Sequence, residues 1–208
     1  MADELPATQI TATDLNAPML DYAQQICPRP NVRWQQADAQ TLPFDDASFE
    51  LVVCQFGAMF FPDRKAAYEE ARRVLQPGKP LILAIWADID DNDFARVVGA
   101  AAAPYLPDGR PSFLRRVPYG YADTDLIRSD LKAAGFARVD VETVALTVRA
   151  SAADLARGIC EGTPLAADLG DSIETAIPAA TDALLAELGT GTPGEMEGVD
   201  TAHVAVAS

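Results

Sequence analysis

Apolar and polar positions switch between a period of two and a period near 3.6 along this chain, and the switches outline its elements. Gln9-Ile-Thr-Ala-Thr13 is a short β-rich run ending at Asp14. Ala17 to Gln25 follows with helical spacing at Met19, Leu20 and Ala23. Pro28 and Pro30 stop that helix, since proline cannot continue one. Val32 to Gln36 is predicted as a second strand and residues 41–48 as a loop. Phe49-Glu-Leu-Val-Val-Cys54 is predicted as a third strand, apolar enough to be buried on both faces. Asp63 predicts an N-cap for a helix running to about Leu75, with Ala67, Tyr68, Ala71, Val74 and Leu75 inward. Gln76-Pro77-Gly78 stops it. Pro80 to Trp86 is a near-continuous apolar run suited to a central parallel strand, so this strand–helix–strand spacing is a right-handed βαβ unit.

Beyond Trp86 the pattern loosens. Ala87 to Asp93 is an acidic loop and Phe94 to Ala103 an alanine-rich helix. Pro104 to Tyr121 holds four prolines, three tyrosines and the pair Arg115 and Arg116; it is too long for a plain connector and predicts a lid over a pocket. Asp123 or Thr124 starts a helix with Leu126, Ile127, Leu131 and Ala134 inward and Gly135 just past its end. Val139 to Arg149 alternates like an edge strand. Ser151 caps a helix through Ile159, Ser172 to Leu188 is a helix kinked or split at Pro178, and Thr201 to Ala207 is a last strand. No internal repeat or low-complexity tract is visible. The alternation predicts an α/β layered domain, and 208 residues suit a single one.

Charge narrows the partners. The formal net charge of −15 repels phosphate backbones and anionic lipid heads, so nucleic acid and membrane surfaces are poor partners. A small neutral or cationic ligand is easier to accommodate. Cys27, Cys54 and Cys160 are too sparse for a disulfide framework and read as free thiols in a reducing, cytoplasmic compartment. The first residues lack the basic start and apolar core of a secretory signal, and the longest apolar stretch, Leu81 to Ala87, is too short to cross a bilayer. His203 is the single histidine, which excludes a multi-His zinc site; no metal is expected. A Ser-His-Asp triad would need this histidine on a terminal strand, where a packing role is simpler.

Candidate chemistry gathers at strand ends. Asp14 closes a strand before a helix, where a carboxylate can accept both hydrogen bonds of a ribose diol or simply cap the helix. Asp38 follows the next strand. Its carboxylate can accept from an adenine amine while the amide of Ala39 donates to a ring nitrogen, or it is a plain loop acid. Two strand-end acids in successive β-α units fall on the same carboxyl edge of a sheet, where open α/β folds bind ligands. Gln55-Phe56-Gly57 occupies that edge too, and Gly57 permits close backbone approach. Gly189-Thr-Gly-Thr-Pro-Gly194 spells a dinucleotide fingerprint, but a helix precedes it and Pro193 lies inside it; it reads as a flexible loop.

Four of these segments resemble the class I S-adenosylmethionine-dependent methyltransferases, in the small-molecule "type 11" and ubiquinone-biosynthesis-like branch. Residues 13–20 are similar to the family's second-strand acid and following helix, and residues 37–44 to its adenine-contacting loop. Residues 49–62 are similar to its fourth strand and substrate-side turn. Residues 73–83 are similar to its helix, Pro-Gly turn and fifth strand. Ala134-Gly-Phe136 and two final strands fit the family's closing antiparallel pair. The resemblance implies a Rossmann-like sheet with helices on both faces, S-adenosyl-L-methionine as cofactor and a small-molecule methyl acceptor. It implies that Asp14 binds the ribose, Leu15 and Met19 pack on the adenine face, Asp38 and Ala39 hold the adenine edge, and Gln55 lines the methionine end with Phe56 beside it. It divides the single domain into a cofactor core (9–86), a lid and helix (87–135) and C-terminal strands and helices (136–208). No general base is assigned; Tyr119, Tyr121 and Asp88 lie in plausible regions, where packing or lid surface is the simpler role.

The resemblance has one departure. The family places a first strand and an acidic-x-Gly-x-Gly-x-Gly loop before the second-strand acid, whereas here only 13 residues precede Asp14 and none is glycine. The missing strand belongs mid-sheet, so the sequence as given predicts two unpaired strand edges at a cost of about 1–3 kcal/mol for each backbone group left buried and unpaired. A chain shortened at its start, a shortened paralogue without activity, and completion by a second chain or by homo-oligomerisation are all open. So are two other functions: a non-catalytic protein of the same fold acting through association, and a nicotinamide oxidoreductase. The last shares the strand-end acid but also needs a glycine-rich loop.

Overall fold

The computed structural model describes residues 6–107 and 113–208. Two sheets form. β1 (Ile10–Asp14), α1 (Ala17–Ile26) and β2 (Val32–Gln36) make a βαβ unit whose strands pair in parallel from Ile10↔Val32 to Asp14↔Gln36. β3 (Val52–Gln55), α2 (Arg64–Val74) and β4 (Leu81–Trp86) make another, with Val52↔Leu81 to Gln55↔Ala84 in parallel register. The chain continues through α3 (Asp93–Ala102), α4 (Phe113–Arg116), α5 (Thr124–Ala133) and β5 (Val139–Ser151). It then forms α6 (Ala152–Gly162), α7 (Leu165–Leu169), α8 (Ile173–Leu188) and β6 (Glu195–Ala207). The second sheet has the order β3-β4-β6-β5, with β6 antiparallel to both its neighbours. This is the α/β architecture that the alternation of elements predicts.

Local chemistry explains the elements read correctly. Asp63 accepts from the Ala66 amide, Asp123 from those of Asp125 and Leu126, and Ser151 from that of Asp154, each satisfying an orphan donor at a helix start. All five residues assigned to the inward stripe of α2 are buried. Gly78 and Gly135 adopt φ of +75° and +94°, ending α2's turn and α5. The loop 189–194 joins α8 to β6, with no strand before it.

Two buried clusters hold the molecule. One lies between β4–β6 and the helices α2 and α5, and includes Tyr68, Leu83, Ile85, Ile127, Leu131 and Phe136. The other gathers α3, α6, α7 and α8 around Val98, Ala156, Leu165, Leu184 and Met196. Among the described residues before 58, only Leu20 joins the buried apolar set.

Several expectations fail. The third strand starts at Val52 and is not buried on both faces: Val53 is 38% exposed, since no helix covers the face it shares with Ile82 and Val206. Leu126 is exposed while Ile127 and Leu131 are buried. α8 runs through Pro178 as one helix, so it is not split there. β6 begins six residues before Thr201, because Met196 and Gly198 pack inward; a Cβ on Gly198 would lie 2.8 Å from the Phe94 ring.

β1 and β3 each pair on one edge only, so the two sheets are not hydrogen-bonded to each other among the described residues. A side-chain clamp ties the β2–β3 loop to α2 instead. Arg73 donates to Glu70 through two nitrogens, to the carbonyls of Leu42 and Phe44 and to Asp46, while Glu70 accepts from the Leu42 amide.

Candidate functional site

The carboxyl ends of β1 and β2 bring Asp14 and Asp38 to one edge. The Ala37 amide donates to the Asp14 carbonyl at 3.1 Å, and Gln36 Nε2 donates to the Leu15 carbonyl at 2.8 Å. Asp14 Oδ1 accepts from the Asn16 amide at 2.8 Å, so it closes the turn into α1. Asp38 Oδ1 accepts from the amide and Nε2 of Gln40 at 2.9 and 3.3 Å, and Ala39 lies within this turn. Each carboxylate keeps an unused oxygen, so each can still accept from a ligand. Leu15 and Met19 are both exposed beside Asp14 and begin a stripe that Tyr22 and Ile26 continue along α1.

Gln55 and Phe56 end β3 on the other sheet. Gln40 Oε1 accepts from the Asp63 amide at 2.9 Å, which ties the Asp38 turn to the start of α2. Phe56 holds φ at +53°, a left-handed conformation costly for a bulky residue. Two contacts hold it. Its amide donates to the Ala84 carbonyl at 2.9 Å, and its ring stacks on Trp86 at 4.1 Å. Burial pushes the Cys54 thiol up, so it stays neutral and structural. A Cβ on Gly57 would meet that sulfur at 3.0 Å, which is why glycine follows Phe56.

Past this turn lies a cavity of about 320 Å³, lined by residues that include Phe60, Trp86, Phe113, Leu114, Tyr119 and Ile159. The segment expected to form a lid thus supplies three of these side chains, with residues 108–112 outside the described ones. Tyr119 sits 5.8 Å from Trp86, ring to ring. Burial, and then the negative field of Asp200, push its hydroxyl well above the usual tyrosine value. The other residues weighed as acid or base lie elsewhere. Tyr121 is buried, donates to Asp130 at 2.8 Å and lies beneath the Arg64 guanidinium. Asp88 caps a short turn by accepting from the Asp90 amide. His203 is buried and its Nδ1 pairs with Thr143 Oγ1 at 2.9 Å, a packing role. Among the described residues no cluster of His, Cys, Asp and Glu could hold a metal, and no helix is long and apolar enough to cross a membrane. The cavity's aromatic wall was missed in the sequence, although Trp86 ending the central strand and the dense Phe56, Phe60 and Phe61 were signals for it.

Residues 1–83 match a family model described as a methyltransferase domain. An uncharacterised protein of Mycobacterium bovis is 34% identical over 109 residues, 50% of this chain and 39% of that protein. A demethylmenaquinone methyltransferase of Deinococcus radiodurans is 36% identical over 85 residues, 40% of this chain and 35% of that enzyme. The chain therefore spans well under half the length of these relatives. Among solved structures, phosphoethanolamine N-methyltransferase 2 of Haemonchus contortus in complex with S-adenosyl-L-methionine superposes with a TM-score of 0.55. It is 14% identical, with 100% of this chain and 45% of that one covered, a likeness of fold.

Proposed function

We propose, from the premise that residues 1–83 of this chain belong to the methyltransferase-domain family, that the protein transfers a methyl group from S-adenosylmethionine to a small molecule. One observation supports this reading most: Asp14 and Asp38 both lie at the carboxyl edge of a parallel strand pair, inside the matched residues. The free oxygens of these acids suit a ribose diol and an adenine amine, and the exposed Leu15 and Met19 suit the faces of a base. The residues present therefore fit the adenosyl half of that cofactor. Gln55 and the strained Phe56 stand toward its methionine half, and the Trp86 cavity beyond them takes the acceptor.

S-adenosylmethionine supplies an electrophilic methyl group on its sulfonium. The chain's own work is positioning the acceptor and excluding water from an apolar chamber. No base is assigned, since an acceptor that is already nucleophilic needs none. The free thiols of Cys27, Cys54 and Cys160 suit a reducing, cytoplasmic setting.

Calorimetric titration with S-adenosylmethionine tests this. Micromolar binding that Asp14→Ala abolishes is expected. No heat at millimolar cofactor overturns it in favour of a non-catalytic protein acting through association. A specific observation favours that second reading: the stripe Leu15, Met19, Tyr22 and Ile26 and the open sheet face with Val53, Val144 and Val206 stand uncovered. A second copy or another chain covering the unpaired edges of β1 and β3 fits both readings.

A further inference from the structure

We infer that the Trp86 cavity selects an uncharged aromatic molecule whose single polar group meets the Tyr119 hydroxyl. Its role as methyl acceptor rests on the methyl-transfer reading above; the binding itself does not. None of the described residues lining the cavity carries a formal charge. Four are aromatic: Phe60, Trp86, Phe113 and Tyr119. Phe60 and Phe113 face each other nearly parallel at 6.4 Å, and Trp86 is fixed by its stack on Phe56. Flat rings match such walls through offset and edge-on contacts. The volume of about 320 Å³ is at the small end of ligand pockets, which suits a compact ring rather than a long chain.

The polar groups narrow the choice. Among the described residues, two hydroxyls line the cavity. Thr163 Oγ1 is already engaged, donating to the Ile159 carbonyl at 2.8 Å and accepting from the Leu165 amide at 3.2 Å. The Tyr119 hydroxyl has no partner among the described residues, so a ligand's hydroxyl or carbonyl there gains a hydrogen bond that the protein does not use. An anion would leave water for a site whose described lining holds no cation. A cation finds aromatic faces but no carboxylate among the described lining residues.

Three ligands of one shape separate these cases: 4-ethylphenol, 4-hydroxyphenylacetate and tyramine. Each is titrated against the full chain, with binding followed by saturation-transfer NMR. 4-ethylphenol should bind at least about tenfold more tightly than the anion or the amine. Tyr119→Phe should weaken it by about threefold to tenfold, the worth of one hydrogen bond, yet leave ethylbenzene unchanged. Gly162→Leu should block binding, because Gly162 lines the cavity and a Cβ there meets nothing within 4 Å, so the fold tolerates it. If that variant fails to fold, intermolecular NOEs between 4-ethylphenol and the Trp86 indole, assigned with Trp34→Phe, locate the ligand in the parent chain. No binding, equal binding of either charged analogue, or a ligand away from Trp86 overturns the inference. Cofactor titration on the same samples keeps the readings apart. Retained 4-ethylphenol binding without cofactor binding sinks only the methyl-transfer reading, and the converse sinks only this one.

Discussion

Glu70 shows how one residue can secure a loop that lacks a hydrophobic core. Its carboxylate takes two hydrogen bonds from Arg73 and one from the Leu42 amide, so the loop before β3 is fastened to α2 by charge and geometry. The Arg73 hydrogen bonds hold the Glu70 carboxyl below the usual carboxylate range. A lowered folded value contributes stability above the ordinary carboxylate range, and that contribution is lost as pH falls through the lowered value. Glu70→Gln should therefore lower the melting temperature near neutral pH by about 1–4 °C, for a pair worth about 0.5–1 kcal/mol. The gap to the parent should narrow as scans are taken to pH values below the ordinary carboxylate range; a gap independent of pH would mean that packing, not ionisation, is at work. The sequence held no trace of this clamp, because its partners are 27 to 31 residues apart and only the tertiary turn joins them.

α1 and α5 read alike in the sequence, each with apolar residues at helical spacing, and the structure gives them opposite fates. α5 buries Ile127 and Leu131 completely against the sheet. α1 buries Leu20 and leaves Ile26 64% exposed. Ile127→Ala should cost about 2–5 kcal/mol in urea unfolding, through lost transfer energy and a residual cavity. Ile26→Ser should change stability by less than about 0.5 kcal/mol in the same experiment. A large loss at Ile26 would show that the stripe on α1 is covered in solution, as an associating surface requires. Periodicity identifies the side of a helix that wants burial; whether anything lies opposite is a property of the neighbouring elements.

Across the whole molecule, stability should be uneven. β4 and β6 lie between neighbours and against a helical layer, whereas among the described residues β1 and β2 pair only with each other. Amide exchange should therefore be slowest in β4 and β6 and much faster across β1, α1 and β2, because local opening there exposes little apolar surface. Equal protection in both regions would contradict the split drawn from the strand order. The order of strands and helices, the caps at Asp63, Asp123 and Ser151, and the strand-end positions of Asp14 and Asp38 were all set by the sequence. They depend on side-chain period and on hydrogen bonds between near neighbours. Tertiary structure alone decided that Val53 and Met19 are uncovered, that Phe56 is strained against Trp86, and that Tyr119 lines a cavity while Tyr121 is buried in a core network. Those outcomes follow from which distant surfaces meet, and local period carries no information about that.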